Sequence, residues 1–422
     1  MKKKYREYKQ LNLTETGKEI GKYWEDHKVF QKSLDMRQGH ESFVFYEGPP
    51  SANGKPGIHH VMARAIKDIF CRYKTQKGFL VDRKAGWDTH GLPVEISVEK
   101  TLGITKEDIG KKISVEDYNQ ACRTEVMKFK DLWDELTVEM GYWVDLDDPY
   151  ITFDNKYIET VWWLLKKLHD KQLLYKGYTI QPYSPAAGTG LSSHELNLPG
   201  CYRDVKDTTV VAQIKVKKDD KSAFLFTGDH GDVHFLAWTT TAWTLPSNTA
   251  LAVGKKIKYN LVQTYNAYTG LPVTIVVAKD LFANYFPEKN AELAIGDYEK
   301  GQKAIPFKVI GEFTGAELAG IRYEQLLPYA QPEDGDAFRV VTGDFVTTED
   351  GTGIVHIAPS FGADDFKVGR ENGIGSLTMV DKQGRFVEAM GEFAGRYVKN
   401  EYATDHDPAN PADSVDIDII VK

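Results

Sequence analysis

The segment FVFYEGPPSANGKPGIHHVMARAIKDIF, Phe43–Phe70, decides how the first half of the chain folds. Phe43–Glu47 is a short apolar run of strand character, stopped by Gly48, Pro49 and Pro50, because proline has no N–H to give a ladder. From His60 to Thr75 the apolar positions Val61, Ala65, Ile66, Ile69, Phe70 and Tyr73 follow the helical period, and Gly78 stands where a helix stop is expected. Phe79–Arg83 then reads as a second strand that runs into GWDTHG, Gly86–Gly91. Strand, loop, helix and strand make one βαβ unit of a doubly wound sheet, in which ligands collect at the carboxyl ends of the strands. Both loops fall at that edge.

Outward from this unit, helices are expected over Thr14–Phe30, Val115–Leu136 and Asn155–Leu174. Near Gly188 the texture changes to short strand-like runs: TTVVAQIKV, HFLAWTT, TALAV, KYNLVQTY and PVTIVVAK. The expected organisation is an α/β part over residues 1–187, a β-rich part over 188–400 and a polar, Pro-rich segment over 401–422. A chain of 422 residues can hold that many parts, at about 100–200 residues per domain. Charged residues make up 27% and no apolar run approaches a membrane span. With no h-region behind the basic start MKKKYREYKQ, the reading is a soluble, cytoplasmic protein. Cys71, Cys122 and Cys201 form no CxxC pair, which argues against disulfides and a cysteine zinc site. A net charge of -8 gives no general affinity for nucleic acid, so any RNA contact is local.

Read from the residues alone, a glycine-rich turn entering a helix offers free N–H groups and a positive dipole end, which suits phosphate. Gly57 is expected to supply the freedom to bend, and His59 and His60 can add donors, although a histidine pair at a helix start also serves simply as a cap. Asp88 and His90, at the end of the neighbouring strand, place a carboxylate able to hold an ammonium opposite that loop. In the β-rich part, WTTTAWTLPSN, Trp238–Asn248, reads as a strand of β-branched residues facing both ways. GTGIVHIAPSFGADDF sets His356 on a short strand between a tight turn at Gly351 and Gly353 and the acids Asp364 and Asp365. One histidine with two adjacent aspartates is a poor metal ligand set.

EGPPSANG, GWDTHGLPVE, WTTTAWTLPSN and GTGIVHIAP, in this order and spacing, resemble class I aminoacyl-tRNA synthetases of the isoleucine type over nearly the whole chain. The resemblance implies a Rossmann-type (HUP-like) catalytic half with an inserted β-rich editing domain. It implies ATP with its Mg²⁺, isoleucine and tRNA(Ile) as ligands; no structural zinc is expected in this fragment, no membrane contact, and a monomer. Carried over, Pro50, Asp88 and His90 would form the amino-acid pocket, with Asp88 on the ammonium; Asn53, Gly57, His59 and His60 would meet ATP. The family signature His-x-Gly-His stands here as Gly57, Ile58, His59 and His60, so glycine and the first histidine have exchanged places. The imidazole of His59 then stands where adenine packs on glycine in the family.

The same resemblance gives the threonine run a role in hydrolysing valine mischarged onto tRNA(Ile). Thr239, Thr240, Thr241, Trp243, Asn248, His356, Asp364 and Asp365 would build the editing pocket, with Asp365 on the substrate ammonium and His356 lining the side-chain pocket. His60 and Asp365 are the expected catalytic residues. Ala242 replaces the proline usual in the family. No Lys-Met-Ser-Lys-Ser-type loop occurs, so an N-terminal fragment that mainly edits is expected, ending in a truncated connecting segment. Two other readings stay open: a nucleotidyltransferase of the same superfamily, which leaves the threonine and Asp365 motifs idle, and a non-catalytic tRNA-binding module.

Overall fold

The computed structural model describes residues 10–205 and 207–399. The basic start and the connecting segment 401–422 lie outside the described residues. The chain divides into two compact units, Met1–Lys176 and Gly177–Lys422, and each is described by itself.

The first unit runs α1 (Leu13–Asp26), α2 (Val29–Asp35), β1 (Phe45–Tyr46), α3 (Ile58–Gln76), β2 (Arg83–Trp87), α4 (Leu92–Leu102), α5 (Val115–Val126), α6 (Lys130–Glu139), β3 (Asp145–Ile151) and α7 (Asn155–Asp170). Its sheet is parallel, in the order β1-β2-β3, with Phe45 opposite Arg83 and Trp87 opposite Ile151. Helix α3 is the crossover from β1 to β2, as the sequence predicts. Four details differ. The helix expected over Thr14–Phe30 breaks because Lys28 turns left-handed, at φ 48°. The second strand begins pairing within the expected Phe79–Arg83, where Leu80 and Asp82 accept from Phe43 and Phe45, but its regular ladder continues through RKAGW, Arg83–Trp87. A charged residue hides this strand: Arg83 is buried, and its guanidinium donates to Asp68, to the Trp143 carbonyl and to Thr75. The helix expected over Val115–Leu136 is two helices, since the N–H of Phe129 leaves the helical ladder to donate to the Ala52 carbonyl at 2.9 Å. Strand β3, DLDDPYI, has no apolar pattern to announce it. Around this sheet Trp87, Trp133 and Ala52 form one buried cluster, and Ala85, Tyr142 and Val144 another.

The second unit runs β4 (Tyr183–Ser184), β5 (Thr189–Gly190), α8 (Ser193–Leu196), β6 (Val210–Lys215), β7 (Asp232–Thr239), β8 (Ala250–Val253), β9 (Lys258–Tyr265), β10 (Pro272–Ala278), α9 (Phe282–Tyr285), β11 (Lys308–Thr314), α10 (Gly315–Leu318), β12 (Arg339–Thr342), β13 (Ile354–Ile357) and α11 (Ala363–Glu371). The large sheet is mixed, ordered β11-β9-β10-β7-β13-β8-β12, with β6 on the other edge of β7. Strand β7 is shared. Its start pairs with β10 at Asp232–Phe235 and its end with β13 at Trp238.

The sheet curls on itself, because Arg322 bridges to Arg339 of β12 while Tyr323 bridges to Val216 just past β6. A ring therefore runs β6-β7-β13-β8-β12 and back through Arg322–Tyr323. Ile214, Phe235, Ala237, Leu251, Ile321, Tyr323 and Val340 in its core are fully buried. Such a ring hides strand edges that would otherwise stay unpaired. Gly353, at φ 72°, must be glycine, since a side chain there would overlap Ala278.

Candidate active sites of the two units

In the first unit the carboxyl ends of β1 and β2 lie side by side, and the Asp88 N–H donates to the Pro50 carbonyl at 3.0 Å. Asp88 and His90 are both exposed. His90 is fixed by Nδ1, 2.9 Å from the Thr152 hydroxyl just past β3. A cavity of about 430 Å³ opens beside them, lined by Glu47, Pro50, Asn53, His60, Lys67 and Trp133 among others. It brings together Pro50, Asn53 and His60; Gly57, His59, Asp88 and His90 are not part of its lining.

His60 occupies the first turn of α3, and its Nδ1 accepts the Gly57 N–H at 2.9 Å. That leaves the proton on Nε2 as a donor. Burial, the neighbouring His59 and then Arg64 lower its pKa, which favours the neutral ring. The ring packs 4.6 Å from Trp133 and 3.8 Å from His59, which is itself exposed. Gly57 does not serve as expected. Its φ of -115° and ψ of 172° are ordinary extended backbone that any residue adopts. What its missing side chain provides is space: a Cβ would lie 2.9 Å from Cε1 of His59. The exchange of glycine and histidine thus leaves the two residues as neighbours in space, with the imidazole folded back over the glycine.

Sequence reasoning missed the support beneath this loop. Glu47 is buried; it pairs with Lys67 at 2.6 Å and accepts from Tyr142, while its carbonyl accepts from the Tyr150 hydroxyl at 2.5 Å. The Trp133 indole N–H donates to the Gly54 carbonyl at 2.8 Å. Glu47 stands directly before GPP, so a carboxylate entering an apolar turn was the available signal.

In the second unit the threonine run leaves β7 and turns through a short 3₁₀ stretch, Ala242–Ser247, to Asn248. Thr240 is exposed, Thr239 is buried, and Thr241 and Trp243 are half-buried. The hydroxyl of Thr241 lies 3.2 Å from that of Thr239 and 3.1 Å from that of Thr244. Thr244 continues inward to His356 Nε2 at 2.8 Å, and His356 Nδ1 lies 3.1 Å from the Asn248 amide nitrogen. Burial pushes the His356 pKa down to about 4, so the ring is neutral near pH 7. Both of its nitrogens are engaged by the protein, so His356 acts here as a buttress under the run.

Asp365 lies in the first turn of α11, and its Oδ2 accepts the Ala358 N–H at 2.9 Å, which ties it to the end of β13. Burial raises its pKa, against the lowering effect of that hydrogen bond. Asp364 is exposed. The Trp243 ring meets Phe361 edge to face at 5.2 Å, joining the threonine run to the loop before Asp365. Two members of the network went unnoticed in the sequence. Thr244 had a signal, as the fourth threonine of WTTTAWT; Tyr323, whose hydroxyl donates to Asn248 Oδ1 at 2.7 Å, had none. A larger cavity of about 1040 Å³ along the β6-β7-β10 face contains none of these residues. Among the described residues, no group of three or more His, Cys, Asp and Glu could hold a metal ion, and no helix is long and apolar enough to cross a membrane.

The family of class I tRNA synthetases (I, L, M and V) matches residues 19–360, and the chain belongs to it. It is 61% identical over 414 residues to an isoleucine–tRNA ligase of Cytophaga hutchinsonii, covering 96% of this chain and 36% of that protein. It is 63% identical over 406 residues to the isoleucine–tRNA ligase of Bacteroides thetaiotaomicron, covering 93% of this chain and 35% of the relative. The chain therefore spans about a third of the length of these relatives. Among solved structures, the editing domain of the P. knowlesi cytosolic leucyl-tRNA synthetase aligns with a TM-score of 0.29 and 13% identity, over 37% of this chain and 60% of that one.

Proposed function

We propose that the chain belongs to an isoleucine–tRNA ligase and carries two sites: the half of the activation site that holds isoleucine and ATP, and a hydrolytic site that removes valine from tRNA(Ile). The observation that carries this reading is the paired arrangement at the first site. Asp88 is tied to Pro50, and His60 presents a neutral Nε2–H in the adjoining cavity at the start of α3. Identities of 61% and 63% with isoleucine–tRNA ligases support the choice of amino acid.

Activation is an attack by the isoleucine carboxylate oxygen on the α-phosphorus of ATP; the bond to the bridging oxygen breaks and pyrophosphate leaves. The protein positions the reactants and stabilises charge. In this reading Asp88 holds the ammonium, Pro50 packs on the amino acid, and Asn53, His60 and the first-turn amides of α3 hold the nucleotide. Mg²⁺ comes with ATP as part of the substrate, and the lining carboxylate of the cavity, Glu47, is already committed to Lys67 and Tyr142.

Editing answers a limit of the first site. One methylene is worth only about 1–3 kcal/mol in a pocket, and the isoleucine–valine pair is itself the usual illustration of that limit. At the second site Asp365 would hold the ammonium of the esterified valine while a water attacks the carbonyl carbon and the ribose oxygen departs. Thr239 and Thr241, braced by Thr244 and His356, would exclude the larger isoleucine.

The test is to incubate the 422-residue chain separately with Val-tRNA(Ile) and Ile-tRNA(Ile). Selective release of valine is expected. Equal release of both, or of neither, overturns the editing assignment, and pyrophosphate exchange without deacylation supports a nucleotidyltransferase instead.

A further inference from the structure

Behind the editing pocket, the hydrogen bonds run in one direction. Tyr323 is fully buried, and burial holds its phenol well above the ordinary pKa, so it remains a donor. Its hydroxyl donates to Asn248 Oδ1 at 2.7 Å, and the Ala250 carbonyl, which can only accept, lies at the other end of the amide; together they fix which end is oxygen. The other end, Nδ2, donates to the Ala250 carbonyl at 2.8 Å and faces His356 Nδ1 at 3.1 Å. Nδ1 must then be the acceptor. A neutral imidazole carries one proton, so it sits on Nε2 and is donated to the Thr244 hydroxyl at 2.8 Å. The Thr244 hydroxyl in turn donates to the Thr241 carbonyl at 2.8 Å.

A second observation marks the same corner. Phe338 is a non-glycine residue in the left-handed region, at φ 60°, a conformation that persists only where the surroundings impose it. Its N–H donates to the Thr249 carbonyl at 2.7 Å, next to Asn248, and its carbonyl accepts the Tyr323 N–H at 3.1 Å. The strained residue thus clamps Tyr323 to the strand that begins beside Asn248.

We propose that Tyr323 is a positioning residue for editing, and that its hydroxyl, through the amide of Asn248, sets the tautomer of His356 and so the conformation of the Thr239–Thr241 run. It does not touch the substrate. The inference rests on the editing function proposed above, but its spectroscopic readout does not need that function. With Tyr323 in place the amide has one orientation and the ring one tautomer. Without the hydroxyl, Asn248 Oδ1 is buried with no donor and the amide is held mainly by the Ala250 carbonyl; in the molecules where it turns over, the ring takes its proton on Nδ1 and Thr244 is freed to donate to Nε2, which releases the Thr241 carbonyl.

The experiment compares the 422-residue chain with Tyr323→Phe and, should that variant fold poorly, with Asn248→Asp, which keeps shape and forces the ring proton to Nδ1. Two quantities are read: the ¹⁵N shifts of the His356 ring, and the rate of valine release from Val-tRNA(Ile). The wild type should give a single Nε2–H tautomer. Tyr323→Phe should give mixed tautomers and Asn248→Asp the opposite one, each with valine release slowed by about tenfold or more. An unchanged Nε2–H ring in folded Tyr323→Phe overturns the proposal, and so does one in Asn248→Asp. So does a changed tautomer with unchanged valine release. If the wild type releases no valine while the tautomers shift as expected, the editing assignment fails and the control of His356 by Tyr323 stands.

Discussion

The backbone N–H of Asp88 donates to the carbonyl oxygen of Pro50 at 3.0 Å, so two loops that are far apart in sequence are joined at a single hydrogen bond. One brings an apolar ring and the other an exposed carboxylate. Asp88→Asn keeps this backbone bond and removes only the charge. In the complete ligase, isoleucine-dependent ATP–pyrophosphate exchange should fall by about 10–100-fold, the worth of a hydrogen bond to a charged group. Hydrolysis of Val-tRNA(Ile) should not change. Normal exchange at low isoleucine concentration would remove Asp88 from the pocket.

Asp365 links function to stability with opposite signs. Its pKa in the folded chain is raised by burial above the ordinary 3.8, so the folded state holds the proton more tightly than the unfolded one. Stability from this group is present below that ordinary value and is lost as pH rises through the raised one. Asp365→Asn retains an oxygen for the Ala358 N–H and never ionises. It should melt higher than wild type at pH 7, with the difference vanishing near pH 3, and should lose valine release. Thermal melts across that range decide the first part; a lower melting temperature at pH 7 would refute it.

His356 predicts the reverse pH trend. Its pKa drops from 6.5 to about 4 on folding, so the stability tied to its neutral ring is present above pH 6.5 and is lost as pH falls towards 4. The full swing is ~3 kcal/mol. Urea titrations of the chain between pH 7.5 and 4 should show this loss, and His356→Gln should flatten it while being less stable at pH 7. Parallel curves for the two proteins would mean that the ring is not buried neutral.

Lys67→Met tests the support of the first loop. It leaves the buried Glu47 carboxylate with Tyr142 but without its ion-pair partner. Because Lys67 is partly exposed, the cost should be about 2 kcal/mol, below the 3–5 of a wholly buried pair. Adding Glu47→Gln should return much of it. A double-mutant cycle by denaturant unfolding measures the coupling, and additive losses would show that the pair is incidental.

Hydrophobic period made much of this legible. The crossover helix α3 and strands β6 to β10 follow apolar patterns that burial imposes on a helix or a strand. It failed where charge is buried or where a tertiary contact outbids local preference. Arg83 stands inside β2, β3 is half acidic, and Phe129 breaks a helix to reach Ala52. The motif residues themselves could be read. Their bracing could not, since Tyr323 reaches Asn248 and Lys67 reaches Glu47 only through the fold, and neither spacing repeats a local pattern.

Strand β13 sits between β7 and β8, although among the described residues it is the last strand in the chain. On the ribosome, β7 and β8 therefore emerge long before the strand that joins them. At roughly 5–20 residues per second, the hundred or so residues from β8 to β13 take about 5–20 s to synthesise. During that interval the threonine run has no His356 beneath it. In the proposed reading, proofreading is therefore acquired late, when Ile354–Ile357 takes its place between its neighbours, and a nascent chain stalled before that point would not edit.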